Sequence, residues 1–395
     1  MKQGWEVKKL GDICDVIGGG TPSKMNSKFY DGSILWATVR DMKEDIIKNT
    51  EHKITEEAVK GSSTNIIPKG NVIIATRVGL GKVCLIENDT AINQDLRGII
   101  PKKTSILSVG YLYQWFKSIS NLIVEEGTGA TVQGVKLPFI KDLKIPLPPL
   151  SEQQKIVAIL DEAFAVIERA KANAEQNLKN AKELFDSYLQ SVFENKDEEW
   201  EEKMLKEIGV AQTGTTPKTA DKENYGDFIP FIKPADIDIT GNGTIRYDND
   251  GLSEQGLNNG RKMLEASILM VCIGATIGKV GFVDRDVSCN QQINSLTVKQ
   301  ELFPKFVYYA LSTKGFFEQV MHNAAQATLP IINKGKWETL TISYPKSKTE
   351  QQKIVQKLDL LSAETKRLEA IYQQKIDNLE ELKKSILQKA FNGEL

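Results

Sequence analysis

One heptapeptide occurs twice in this chain. SEQQKIV runs from Ser151 to Val157, and TEQQKIV runs from Thr349 to Val355. Each opens a long helix-like stretch, one ending at Phe193 and the other at Phe391. A repeat spaced by about half of a 395-residue chain makes the molecule an internal dimer. Any fold must therefore accommodate two copies of one unit.

The repeat extends well beyond the heptapeptide. Trp5, Leu10, Ile13, Gly19, Thr21, Pro22, Tyr30 and Asp41 each meet the same residue type 195 positions later. Gly81-Lys82-Val83 and Asn93-Gln94 recur at an offset of 197, and Glu152 to Val157 at 198. Small drifts of this kind are what loop insertions between shared elements produce. Each half opens with about 150 residues of short apolar runs broken by Gly, Asn and Thr. Asn71 to Ile86 and Ser267 to Val283 each predict two short strands around a glycine turn. Val109 to Ile119 and Pro304 to Thr313 predict helices. The expected fold class is α+β, with globular domains at 1–150 and 196–348 and helices at 151–195 and 349–395.

Pro148-Pro149 halts the preceding segment, because proline lacks an N–H and fixes φ. Ser151 with Gln154, and Thr349 with Gln352, then predict a capping box at the start of each helix. The first helix carries an apolar stripe through Ile156, Leu160, Ala163, Ile167, Ala170, Ala174, Leu178, Ala181, Phe185, Tyr188 and Val192. In the second, Thr365 and Lys383 interrupt the stripe, and Ile371 and Leu382 stand one place off it. The second helix can bury its stripe by returning along the first. The expectation is an antiparallel coiled coil with a pseudo-twofold axis, a spacer of ~60 Å at ~1.5 Å per residue.

Little in the chain points to catalysis. His52 and His322 occupy non-equivalent places in the two halves, where a His-based catalyst would want a better setting. GATVQGVK at 129–136 lacks the Gly-Lys-Ser/Thr of a phosphate loop. GGGTPSK at 18–24 is not a dinucleotide fingerprint, and no NPPY-like tetrapeptide of adenine methyltransferases occurs. Cys14, Cys84, Cys272 and Cys289 have no CxxC spacing, and the carboxylates show no metal-ligand spacing. No apolar run is long enough for a membrane span, and the N-terminus lacks the apolar stretch of a secretory signal. The expectation is a cytoplasmic, non-catalytic protein without membrane contact.

A net charge of -1 does not announce a nucleic-acid binder. Residues 1–150 nevertheless carry 20 Lys+Arg against 16 Asp+Glu, a net of +4, whereas 196–348 carry 18 against 20, a net of -2. Part of that acidity is the run Asp197, Glu198, Glu199, Glu201, Glu202, whose simplest role is a solvated linker. Two similar domains at a fixed separation suit DNA, whose half-sites repeat along one face every ~34 Å.

Taken together, the order of these elements resembles the specificity subunit of type I restriction-modification systems, across essentially the whole length. The carriers are the two EQQKIV helix entries, the GGTP loop at Gly19 to Pro22 with GTTP at Gly214 to Pro217, the GKV turns and the terminal AFNGEL at 390–395. The resemblance implies two target-recognition domains reading a bipartite sequence in double-stranded DNA. It also implies assembly with two modification subunits, which carry S-adenosylmethionine and methylate adenine. Restriction subunits using ATP and Mg would complete the complex. No cofactor is expected in this chain. A coiled-coil scaffold gripping protein partners, and a half-subunit reader that dimerises, are the alternatives.

Comparing the two copies sorts the candidate DNA contacts. Phosphate contacts should be shared and base contacts should differ. The shared polar residues are Thr21/Thr216, Lys82/Lys279, Asn93/Asn290 and Gln94/Gln291. Lys82 and Lys279 are the phosphate candidates; an ordinary solvated turn lysine is the alternative. Arg40, Arg77 and Arg97 in the first domain, and Lys233, Arg246 and Gln292 in the second, are the candidate base readers. Lys24 and Lys218 complete the candidate set. A ~60 Å rod limits half-site separation to roughly 18 base pairs, with about one helical turn expected.

Overall fold

A computed structural model describes residues 4–127, 134–196, 198–237, 244–325 and 329–395. Most of the GATVQGVK segment and Asp197 lie outside them. The chain divides into two compact units. The first comprises Met1–Ala174 with Gln374–Leu395, and the second Glu175–Gln373. Each unit thus takes one globular domain and one end of each long helix.

In the first unit a five-stranded sheet orders Cys14–Gly18, Leu96–Pro101, Val72–Ala75, Val83–Ile86 and Ile46–Ile47. A four-stranded sheet orders His52–Ile54, Ile34–Ala37, Thr90–Ile92 and Asn65–Ile67. Ile34–Ala37 and Thr90–Ile92 run parallel, an arrangement that needs a crossover rather than a hairpin. The expected hairpin is present: Val72–Ala75 and Val83–Ile86 pair antiparallel. Its turn places Gly79 and Gly81 at φ +70° and +83°, where a Cβ would be strained. Val72, Ile74 and Ile99 pack against Tyr111, Leu112 and Phe116 of the predicted helix, Val109–Ser118.

The second unit repeats this plan. Gly209–Thr213, Ile293–Val298, Ile268–Val271 and Val280–Phe282 form one sheet. Gly251–Leu252, Tyr225–Ile232, Val287–Cys289 and Lys262–Met263 form the other. Tyr225–Ile232 and Val287–Cys289 supply the parallel pair. In both units the first strand pairs with the last before the long helix: Glu6–Lys9 with Lys144–Leu147, and Trp200–Met204 with Thr341–Pro345.

The long helices span Leu150–Glu194 and Lys348–Asn392. Both begin slightly ahead of the expected caps. Pro149 accepts the N–H groups of Glu152 and Gln153, and Ser347 accepts those of Glu350 and Gln351. Ser151 and Thr349 therefore lie inside their helices, and the capping box is not the device that starts them. The work passes to the first glutamine of each repeat. Gln153 is wholly buried; it donates to Ile106 O at 2.8 Å and Pro148 O at 2.9 Å, and accepts Ser108 N–H at 2.9 Å. Gln351, also wholly buried, accepts Phe303 N–H at 2.7 Å and donates to Pro345 O at 2.9 Å. Eight residues on, Asp161 accepts from Gln114 at 3.0 Å, and Asp359 accepts from Tyr309 and Lys305. Each helix is thus latched to its domain by the same two positions.

In the first unit the helix ends run antiparallel. Lys383 Nζ lies 2.6 Å from Glu168 and 5.3 Å from the Phe164 ring centre, and Lys171 pairs with Glu380. The two interruptions of the second stripe now have causes. Lys383 bonds the facing helix, and buried Thr365 returns its hydroxyl to Leu361 O and Ser362 O. Ile371 and Leu382, off the stripe, are exposed.

Candidate nucleic-acid interface

The duplicated GxTP and Asn-Gln segments meet in each unit. A Cβ on Gly19 would lie 2.2 Å from Ile92 O, and one on Gly214 would lie 2.2 Å from Asn290 O. Only glycine lets the loop pass so close to the strand end. Thr21 Oγ1 then meets the Gln94 side chain, as Thr216 Oγ1 meets that of Gln291. Tyr30 donates to Pro22 O at 2.7 Å and Tyr225 to Pro217 O at 3.0 Å. The shared threonines therefore brace the loop that carries the shared glutamines.

In the first unit this brace walls a cleft of about 900 Å³. Lys24, Trp36, Arg40, His52 and Asp95 also line it. Trp36 is buried and donates Nε1–H to Gly20 O at 3.2 Å, while His52 sits beside its ring. Lys24 and Arg40 are exposed, and no partner for either side chain stands among the described residues. Arg77 does not line the cleft but reaches its rim, with Nη1 3.6 Å from Asp95 Oδ1. Arg97 is half-buried and donates to Gln94 O at 3.0 Å and Leu96 O at 2.7 Å. Burial first, and neighbouring Arg77 second, lower its pKa. Arg97 thus holds the loop from behind. Sequence reasoning missed Asp95 and the aromatic wall; for Asp95 the one signal in the sequence is its place next to the repeated Asn93-Gln94.

Lys82 stands apart from this cluster and donates to Met42 O at 3.3 Å. Lys279 does the same work in the second unit, donating to Pro234 O at 3.3 Å and Ile237 O at 3.0 Å. Both lysines close the 3-10 turn after the parallel strand, Val39–Asp41 or Pro234–Asp236. A shared structural duty is therefore sufficient to account for their recurrence.

The second unit spreads its candidates differently. Thr216 braces the Asn290–Gln292 loop through Gln291, and within that loop Asn290 Nδ2 donates to Gln292 Oε1 at 3.0 Å. Lys218 is exposed beyond the braced loop. Lys233 pairs with Asp250 at 2.8 Å, and Arg246 donates to Ala235 O at 2.9 Å. These two flank the Pro234–Asp236 turn with Lys279 rather than joining Gln292. Buried Asp236 fixes that turn by accepting from Lys233 N and from Asn249 at 2.6 Å. Among the described residues no group of three or more His, Cys, Asp or Glu could hold a metal ion. No described helix is long and apolar enough to cross a membrane.

Comparison with known proteins agrees with the duplicated geometry. The family model described as the type I restriction modification DNA specificity domain matches twice, at residues 2–179 and 197–380. The specificity subunit of the type I restriction enzyme MjaIX of Methanocaldococcus jannaschii is 28% identical, over 99% of this chain and 93% of its own. The EcoR124I/EcoR124II specificity subunit of Escherichia coli is 38% identical over 40% of each chain. A chain solved in a study of complex assembly and conformational transition of the type I R-M system superposes with a TM-score of 0.82, covering 100% of this chain and 99% of that one at 19% identity. The HsdS subunit from Thermoanaerobacter tengcongensis gives 0.64, covering 100% and 98% at 19% identity. These last two likenesses are of fold. With both halves matched by the same model, the chain belongs to the type I restriction-modification DNA specificity family.

Proposed function

We propose that this chain is the DNA-reading subunit of a type I restriction-modification complex, each globular unit reading one half of a bipartite, asymmetric target. The observation that carries this reading is the duplicated loop brace, Thr21–Gln94 and Thr216–Gln291, set among unlike side chains. A shared frame with unshared neighbours is what two readers of different half-sites require. Exposed Lys24, Arg40 and Lys218 have charge available for phosphate or base edges. Lys82 and Lys279 contribute by holding their turns, with remaining N–H groups that can face a phosphate.

In this reading the long helices set the spacing of the half-sites and dock two modification subunits. Those partners supply S-adenosylmethionine and the methyl transfer to adenine, and restriction subunits supply the ATP- and magnesium-dependent work. The chain itself is non-catalytic. The test is methylome sequencing of a strain with active partners, with and without this gene. Loss of methyladenine from one split motif supports the reading, and an unchanged methylome overturns it.

A further inference from the structure

Strand register exposes a correspondence that residue matching hides. Leu96 pairs with Ala75 in the first unit, and Ile293 with Val271 in the second. Thr76 N–H bonds Asp95 O at 2.8 Å, and Cys272 N–H bonds Gln292 O at 2.7 Å. The residue after each is Arg77 in one unit and Ile273 in the other. Asp95 and Gln292 also occupy the same place: Asn93 Nδ2 donates to Asp95 at 3.1 Å, and Asn290 Nδ2 to Gln292 at 3.0 Å. The charged pair Arg77–Asp95 of one unit therefore stands where the other has the neutral pair Ile273–Gln292.

The two positions must change together. Asp95 has only 15% of its side chain exposed, and a carboxylate so placed needs a counter-charge. Removing Arg77 alone would take away that ion pair and leave Asp95 the neutral amides of Asn93 and Gln94, whereas neutral Gln292 beside Ile273 needs no counter-charge. At 3.6 Å the ion pair draws the guanidinium toward the loop without engaging its N–H groups in a hydrogen bond to Asp95. Arg77 remains 48% exposed beside the braced loop, and its other N–H groups can form the bidentate fork that guanine O6 and N7 accept. Gln292 uses Oε1 on Asn290, and its Nε2 has no partner among the described residues. The second lone pair of Oε1 and the N–H groups of Nε2 can together meet adenine N6 and N7.

We propose that residues 77/95 and 273/292 form one specificity position in two settings. Arg77, positioned by Asp95, reads guanine in the first half-site, and Gln292 reads adenine in the second. This rests on the DNA-reading role proposed above. The test expresses Arg77→Ile with Asp95→Gln, in the full-length chain with its partners, in a strain lacking the native gene. The expected methylome keeps the second half-site and loses the guanine requirement at one position of the first. An unchanged motif, or a wild-type first half-site without guanine, overturns the proposal.

Should methylation vanish, the purified complex is titrated with duplexes carrying each base at each first-half position. A guanine preference of roughly 5- to 150-fold at one position should collapse in the double variant and in Arg77→Lys, which keeps the charge but not the fork. Equal weakening on all duplexes overturns the proposal, as does full guanine preference in Arg77→Lys. If deleting the whole gene leaves the methylome unchanged, the DNA-reading role itself fails. Motif loss on deletion with an indifferent double variant refutes the coupled pair alone.

Discussion

Gln153→Met isolates what the repeated glutamine does. The substitution preserves side-chain length and roughly its volume, so little cavity forms. It removes three hydrogen bonds at a wholly buried site: two carbonyls, Ile106 and Pro148, lose a donor, and Ser108 N–H loses its acceptor. At a net ~0.5–1.5 kcal/mol each, the predicted loss is roughly 3 kcal/mol. The assay is urea unfolding of the full-length chain, with hydrogen exchange followed at Ser108, because two units need not unfold as one transition. Exchange at Ser108 should accelerate while amides in Val72–Ala75 stay protected. Gln153→Glu should be worse at neutral pH, since it sets a charge against two carbonyl oxygens. Burial and those oxygens would raise its folded pKa above the ordinary ~4.3. Its destabilisation is therefore smallest below that value and grows as pH rises toward the folded pKa. A Gln153→Met protein within ~0.5 kcal/mol of the parent, with unchanged Ser108 exchange, would refute the latch.

Other outcomes follow from the same geometry. Gly19→Ala forces a methyl against Ile92 O and should weaken recognition of the first half-site, with a stability loss of about 2 kcal/mol or more; wild-type selectivity and melting in this variant would contradict the close approach. Lys82→Met frees Met42 O and should cost about 1 kcal/mol in denaturant titration. If that variant instead loses DNA affinity equally on every sequence at unchanged stability, phosphate binding is its main duty. Burial pushes the thiols of Cys14, Cys272 and Cys289 up to about 12 and that of Cys84 to about 11. An alkylating reagent at pH 8 should therefore label none of the four until denaturant is added, as read by intact mass.

The fold was legible where the period of the sequence is strong. Both hairpins, both short helices and both long helices follow from apolar spacing and glycine turns, because burial selects those patterns directly. The parallel pairing of Ile34–Ala37 with Thr90–Ile92 was not legible, since its partners lie far apart and no local signal marks them. The helix starts differ from the sequence expectation for a related reason. Ser151 and Gln154 match a capping box in type and spacing, yet the N–H groups of Glu152 and Gln153 between them already bond Pro149 O. That left Gln153 free to serve the domain. Beyond its place next to Asn93-Gln94, Asp95 carries no local signal, because its importance lies in a partner eighteen residues away across a sheet.

Duplication makes each half a control for the other, and the control separates two kinds of recurrence. Gln153 and Gln351 face buried backbone groups, which every sequence presents, so the same residue solves the same problem twice. Lys82 and Lys279 recur for the same reason, each serving carbonyls of the turn beside it. Recurrence therefore marks service to the backbone first, and a ligand role needs a separate argument. Divergence carries that argument only where the frame around it is held constant. Position 95/292 meets this condition, with the same Asn bond beside it and the same carbonyl bond behind it. Arg246, whose guanidinium serves Ala235 O, does not. Of the unshared polar residues, Arg77 and Gln292 stand in or against that constant frame, which is why the proposed specificity position is placed there.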